Sequence, residues 1–151
     1  MILLPRRARL PTPADTEGFG AELGRVLQAG DLVVLQGPLG AGKTVLARGI
    51  GAGLGVQGPV SSPTFVIARV HPGRLPLLHV DAYRLSSLAE VDDLDLDVDV
   101  AHSVTVVEWG TGLVEQLADG HLRIELSRRD DDTRVATLHP VGSQWQARVD
   151  R

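Results

Sequence analysis

The sequence predicts an α/β protein built on a central, mostly parallel sheet flanked by helices, with antiparallel strands at its C-terminal end. Three observations carry that expectation. Segments with apolar residues at helical spacing alternate with strand-length apolar runs through the first two-thirds of the chain, the pattern of a sheet covered on both faces. A glycine-rich loop follows one of these runs directly and opens a helix. Beyond residue 120, period-two runs broken by turn residues replace the alternation.

Residues 1–10 mix apolar side chains with Arg6, Arg7 and Arg9 and read as an edge strand or a loose arm whose charges are solvated. Pro11 and Pro13 punctuate the chain, and residues 14–29 then place Phe19, Leu23, Val26 and Leu27 at helical spacing, with Gly30 as the stop. Residues 31–36 form a buried-strand pattern. A second helix covers 44–54, with Leu46, Ile50 and Leu54 on one side, although its three glycines weaken its C-terminal half intrinsically. A Gly/Pro/Ser loop over 55–63 leads to a strand at 64–70 and a turn at 71–74.

Residues 75–80 are a second buried strand that delivers Asp81, and 104–107 are a third that delivers Glu108. Between them, 88–100 alternates acidic and apolar residues and fits a helix or a strand equally. A short helix is expected at 112–118. The terminal antiparallel set comprises 121–126, 134–139 and 145–149, with a turn at 130–132. No internal repeat or linker interrupts the 151 residues, so one domain spanning 1–151 is expected.

Composition narrows the function. The chain has no cysteine, which removes disulfides and thiolate metal sites and makes the cytoplasm its expected compartment. Its apolar runs are strand-sized, whereas a membrane span needs about 20 consecutive apolar residues, so no membrane partner is expected. A formal charge of -4 argues against a broad footprint for phosphodiester backbones, so nucleic acid is expected to be reached only through a partner. The 15 basic residues include a single lysine, Lys43.

That lysine stands in the motif that carries chemistry. Gly37, Pro38, Leu39, Gly40, Ala41, Gly42, Lys43 and Thr44 spell G-x-x-x-x-G-K-T between a predicted strand and a predicted helix, the context of a P-loop. Glycines let backbone N–H groups approach phosphate oxygens, and the helix that follows adds the positive end of its dipole. Lys43 is expected to reach the β- and γ-phosphates and the Thr44 hydroxyl to ligate Mg²⁺. The expected ligands are therefore ATP or ADP with Mg²⁺, on a P-loop NTPase-like fold.

Asp81 and Glu108 each end an apolar strand run, Asp81 in the manner of the acidic residue on the strand next to the P-loop strand. Hydrolysis needs one carboxylate near the metal and one to orient water. Spacing does not assign the two roles. Ser62, Pro63 and Thr64 follow the P-loop helix, where P-loop proteins often sense the γ-phosphate, and equally form an ordinary turn into a strand. The acidic stretch Asp92, Asp93, Asp95, Asp97 and Asp99 lacks the glycine and the closing glutamate of a calcium loop and reads as a solvated face. His79, between apolar neighbours, reads as a satisfied strand residue, and Trp109 as a packing residue.

The series G-x-L-G-A-G-K-T, then S-P-T-F at 62–65, H-V-D-A-Y-R-L at 79–85 and V-E-W at 107–109 resembles the TsaE (YjeE) family, from Thr16 to about Arg134. The resemblance implies the ATPase subunit of the bacterial tRNA threonylcarbamoyladenosine machinery. It implies a nucleotide site of Thr16, near the adenine, with Gly37, Leu39, Gly40, Ala41, Gly42, Lys43, Thr44, Val45 and Arg134. It implies magnesium on Thr44 and Glu108, with Asp81 near the metal and needed for hydrolysis, and a switch at Ser62, Pro63 and Thr64. Tyr83, Arg84 and Trp109 match family positions as well. The implied partners are the tRNA threonylcarbamoyl transferase subunit and its inactive paralogue, with hydrolysis resetting the transferase between turnovers and tRNA met only indirectly.

Two other classes share the phosphate loop. A small-molecule kinase must also enclose an acceptor under an arginine-bearing lid, and 151 residues hold no such insert. A non-hydrolysing interaction module binding ADP as a structural ligand differs only in kinetics. A GTPase is disfavoured because the chain contains no asparagine for an Asn-Lys-x-Asp segment.

Overall fold

The computed structural model describes residues 3–38, 41–57, 68–81, 101–108 and 120–150. The readings made for Leu39, Gly40, Ser62, Pro63, Thr64, Tyr83, Arg84 and Trp109, for the 88–100 stretch and for the 112–118 helix fall outside these residues. The described elements are β1 (Arg7–Leu10), α1 (Pro13–Val26), β2 (Leu32–Gln36), α2 (Lys43–Gly53), β3 (Ala68–His71), β4 (Leu77–Asp81), β5 (Val104–Glu108), β6 (His121–Arg128), β7 (Arg134–Val141) and the short α3 (Ser143–Gln146). Among these residues no helix is long and apolar enough to cross a membrane.

The seven strands form one sheet in the order β1-β7-β6-β2-β5-β4-β3. It is mixed rather than mostly parallel. β6, β2, β5 and β4 run parallel to one another, whereas β1 on β7, β7 on β6 and β3 on β4 pair antiparallel. Connection length decides this: the few residues between His71 and Leu77 allow a hairpin, and a parallel neighbour would need a crossover of about a dozen residues or more. The order also corrects the position expected for Asp81. Of the two strands that end in an acid it is β5, with Glu108, that lies beside β2, and β4 with Asp81 lies one strand further out.

The two helices pack on one face of the sheet, where their apolar stripes meet Val33, Leu35, Val104, Val106, Leu122 and Ile124 in a single core. The alternate residues Leu32, Val34, Thr105 and Val107 are fully buried on the other face, which is why β2 and β5 read as unbroken apolar runs. The start of α1 is set by Thr12 and Asp15. The Asp15 N–H donates to Thr12 Oγ1 at 3.2 Å, the Thr12 N–H donates to Asp15 Oδ2 at 3.0 Å, and Pro13 supplies a pre-set φ in the first turn.

The helices approach closely because glycines line their contact. A Cβ built on Gly20 would lie 2.6 Å from the Leu46 carbonyl oxygen, and Cβ atoms on Gly24, Gly49 and Gly53 would collide with the Ile50, Glu17 and Ala21 carbonyl oxygens. Gly49 and Gly53, which weaken α2 as an isolated helix, are thus what seats it against α1.

The last segment departs from the expected strand at 145–149. Gly142 turns the chain at φ 97, α3 follows, and Trp145 is buried, while Val149 makes only an isolated parallel bridge to Leu4. Apolar residues four apart pack one edge of a short helical turn as readily as alternate sites of a strand. Arg148 locks this segment down with a bidentate pair to Asp31, at 3.0 and 2.8 Å, a 3.2 Å bond to the Val26 carbonyl and a stack 3.9 Å above the Trp145 ring. Arg148→Ala leaves a mostly buried carboxylate short of its cation and is expected to destabilise the fold by about 2 kcal/mol, read as a lower urea midpoint at unchanged slope.

Candidate functional site

The loop between β2 and α2 ends in a helix start that no side chain caps. Its N-cap, Gly42, takes the left-handed φ of 101 that glycine adopts without strain, and the Leu46 N–H bonds back to its carbonyl at 2.9 Å. The N–H groups of the first turn thus keep their donors for something other than a cap. Gly37, at the other end, leaves no room for a side chain, since a Cβ there would lie 2.6 Å from the Leu126 carbonyl oxygen.

Lys43 opens α2 and is 6% exposed. Its ammonium donates to the carbonyl oxygens of Gly37 at 2.6 Å and Pro38 at 3.1 Å, which folds the side chain back across the loop. Two carbonyl dipoles offset the burial of the charge and fix its position.

One residue on, the Thr44 hydroxyl lies 3.5 Å from Oε1 of Glu108. Glu108 ends β5 with 5% exposure, and the register sets it beside Leu35 of β2 on one side and Asp81 of β4 on the other. Asp81 and Glu108 therefore share one row across the sheet, at the C-terminal ends of parallel strands where open α/β sheets bind ligands. Only the backbone of Asp81 is described. The second oxygen of Glu108, Oε2, is 2.6 Å from Nε2 of the buried His79.

On the other side of the loop, Arg134 at the start of β7 donates from Nε to the Ala41 carbonyl at 3.1 Å and from Nη1 to the Asp132 carbonyl at 2.6 Å. Thr16 of α1 and Arg134 flank Gly42, each 3.9 Å from where its Cβ would stand. With Thr12, Pro13, Val45 and Asp132 they line a narrow pocket of about 50 Å³. A cleft of about 440 Å³ between Gln36–Pro38 and the 125–128 edge of β6 adjoins the loop. The β6–β7 turn that carries Asp132 is braced by the Thr133 N–H, which donates to Asp131 Oδ1 at 3.0 Å and holds that carboxyl below the usual carboxylate range.

The donor set suits a hard cation shared with phosphates. Magnesium is usually held by one or two carboxylates and the phosphates themselves, with water completing its shell. Among the described residues no group of three His, Asp or Glu side chains forms a protein-only cage, while one hydroxyl and one carboxylate oxygen converge beside the loop.

The structure thus gathers Thr16, Gly37, Ala41, Gly42, Lys43, Thr44, Val45, Glu108 and Arg134 around one loop. Sequence reasoning missed Asp132, whose only signal was its turn, and the partnership of His79 with Glu108. Residues 10–136 match the family model of the threonylcarbamoyl adenosine biosynthesis protein TsaE. The chain belongs to the TsaE family. A similar protein of Streptomyces coelicolor, tRNA threonylcarbamoyladenosine biosynthesis protein TsaE, is 56% identical over 135 residues, covering 84% of this chain and 91% of that protein. The protein of the same name from Bacillus subtilis is 38% identical over 141 residues, covering 91% and 87%. The crystal structure of Bacillus subtilis YdiB superposes with a TM-score of 0.75 at 32% identity, over 93% of this chain and 88% of that one. The TsaE resemblance read from the motifs is the family that these matches give.

Proposed function

We propose that this chain is the ATP-binding and ATP-hydrolysing subunit of the machinery that makes threonylcarbamoyladenosine in tRNA, a role in keeping with the names of its TsaE relatives. The observation that carries the ATPase reading is the meeting of Lys43, Thr44 and Glu108 beside one G-x-x-x-x-G-K-T loop, with the Thr44 hydroxyl 3.5 Å from the Glu108 carboxylate.

In this reading the loop amides and the uncapped first turn of α2 bind phosphate oxygens, and Lys43 adds its charge to the β- and γ-phosphates. Thr44 and Glu108 would hold magnesium, which when bound would supply positive charge beside the phosphates. Asp81, one strand out in the same row, orients water or completes the outer shell of the metal. Thr16 and Val45 border the base and sugar, and Arg134 clamps the loop from β7 while facing the nucleotide. The segment with Ser62, Pro63 and Thr64 acts as the nucleotide-sensitive switch.

The partners in this proposal are the threonylcarbamoyl transferase subunit and its inactive paralogue, in the cytoplasm, with tRNA reached through them. Release of inorganic phosphate from purified protein tests the reading. Magnesium-dependent release is expected, slow for the chain alone and faster with the transferase pair. Binding without turnover even with both partners present would favour a nucleotide-binding module, and rapid phosphorylation of an added metabolite would favour a kinase.

A further inference from the structure

His79 lies in β4 at 0% exposure, on the same face of the sheet as Glu108. A buried imidazole among aliphatic residues is expensive unless its nitrogens find partners, and here Nε2 meets Glu108 Oε2 at 2.6 Å. A carboxylate accepts and does not donate, so the network assigns the hydrogen to Nε2. The length is that of a short, charge-assisted bond. Nδ1 has no partner among the described residues, and the His71 ring lies 6.5 Å away, tilted by 43°. The bond to Glu108 is thus the contact that gives this ring a polar purpose.

The two oxygens of Glu108 are divided between different neighbours. Oε2 takes the imidazole hydrogen and Oε1 faces the Thr44 hydroxyl at 3.5 Å. A glutamate side chain has three rotatable bonds, and at a strand end several of its rotamers would turn the carboxylate away from α2. We propose that His79 is a positioning residue, which holds Glu108 by one oxygen so that the other stays directed at Thr44 and at the divalent cation they share. This rests on the reading of Thr44 and Glu108 as the magnesium pair. It gives β4 a second role, since the strand that ends in Asp81 also sets the carboxylate of its neighbour. Such outer-shell partners of ligating side chains typically change metal affinity by about 10–100-fold.

The test is a Mg²⁺ titration of the full chain with a fluorescent ADP analogue, alongside the affinity for the same analogue in EDTA. His79→Leu keeps bulk and removes the donor, His79→Gln keeps an N–H near the Nε2 position, and Glu108→Gln weakens the ligand itself. His79→Leu is expected to raise the half-saturating Mg²⁺ concentration by about tenfold or more, with the EDTA affinity nearly unchanged, and His79→Gln is expected to recover most of the loss. A wild-type Mg²⁺ response in His79→Leu beside an impaired Glu108→Gln overturns the positioning role alone. An unimpaired Glu108→Gln overturns the magnesium reading and this inference with it. A loss as large in His79→Gln as in His79→Leu also overturns it, because packing rather than the donor then matters. If His79→Leu does not fold, nitrogen NMR of the wild-type imidazole decides: hydrogen on Nε2 supports the role, and hydrogen confined to Nδ1 refutes it.

Discussion

Lys43→Ala is expected to lower ATP turnover by about 10²-fold or more and to weaken nucleotide binding, while the protein still unfolds in one cooperative transition. Lys43 is the only lysine in the chain and is 6% exposed, with its ammonium held on the Gly37 and Pro38 carbonyls. Those bonds keep the charge in place before any ligand arrives, so little reorganisation is required when phosphate meets it. Alanine removes the charge and leaves both carbonyls to water, which reaches the rim of the loop, so the fold should survive. Lys43→Arg is not expected to restore function. A planar guanidinium spreads its charge over a fork and cannot occupy the position of a compact ammonium bonded to two carbonyls. Calorimetric titration with ADP and a phosphate-release assay check both variants. An affinity within about twofold of wild type for Lys43→Ala would sink the phosphate-loop reading, since a largely buried ammonium in contact with a phosphate is worth more than that.

The second large effect is structural and turns on one substitution made at two places. Gly18 and Gly49 both lie inside helices, and alanine is favoured over glycine in a helix by about 1 kcal/mol on propensity. A Cβ on Gly18 meets nothing within 4 Å, so Gly18→Ala is expected to stabilise the protein by up to about 1 kcal/mol. A Cβ on Gly49 collides with the Glu17 carbonyl of α1, and backbone cannot yield as a flexible side chain can. Gly49→Ala is therefore expected to destabilise by about 1–3 kcal/mol net, lowering the midpoint by about 2–12 °C for a chain of this size. Parting α1 from α2 also shifts Thr16 relative to Gly42, so nucleotide affinity should fall with stability in Gly49→Ala and hold in Gly18→Ala. Differential scanning calorimetry with and without ADP separates the two. Equal signs for both substitutions would show that the helices do not meet through these glycines.

The glycine-rich loop between β2 and α2 was legible in the sequence because its signature is local. Three glycines, a lysine and a threonine at fixed spacing, with an apolar run before and a helical pattern after, need no distant residue to be recognised. The strands ending in Asp81 and Glu108 were legible because buried parallel strands are continuous apolar runs, and a carboxylate closing one stands out. The family likeness came from four such local motifs in order. Relations between segments came only as implications of that likeness, which joined Thr16 and Arg134 to the loop and Glu108 to Thr44, whereas strand order and the path of the last segment could not be read. The expectation of a mostly parallel sheet gave way because β3 and β4 are joined by a hairpin, while β6, counted with the terminal antiparallel set, also runs parallel beside β2. The reading of 145–149 as a strand failed for a related reason, since burial of Trp145 and anchoring of Arg148 on Asp31 decide the path of that segment.

By itself, the sequence determined the glycine-rich G-x-x-x-x-G-K-T loop, the two acidic strand ends and the alternation of helix and strand, all of which depend on residues within a few positions of one another. The tertiary structure alone decided that Glu108 rather than Asp81 adjoins the loop strand, that Arg134 reaches Ala41 from the far end of the chain, that His79 holds Glu108 and that glycines join the two helices. Strand order and side-chain contacts across tens of residues are set by how whole elements share one core, and nothing in local spacing encodes which neighbour a strand end will find.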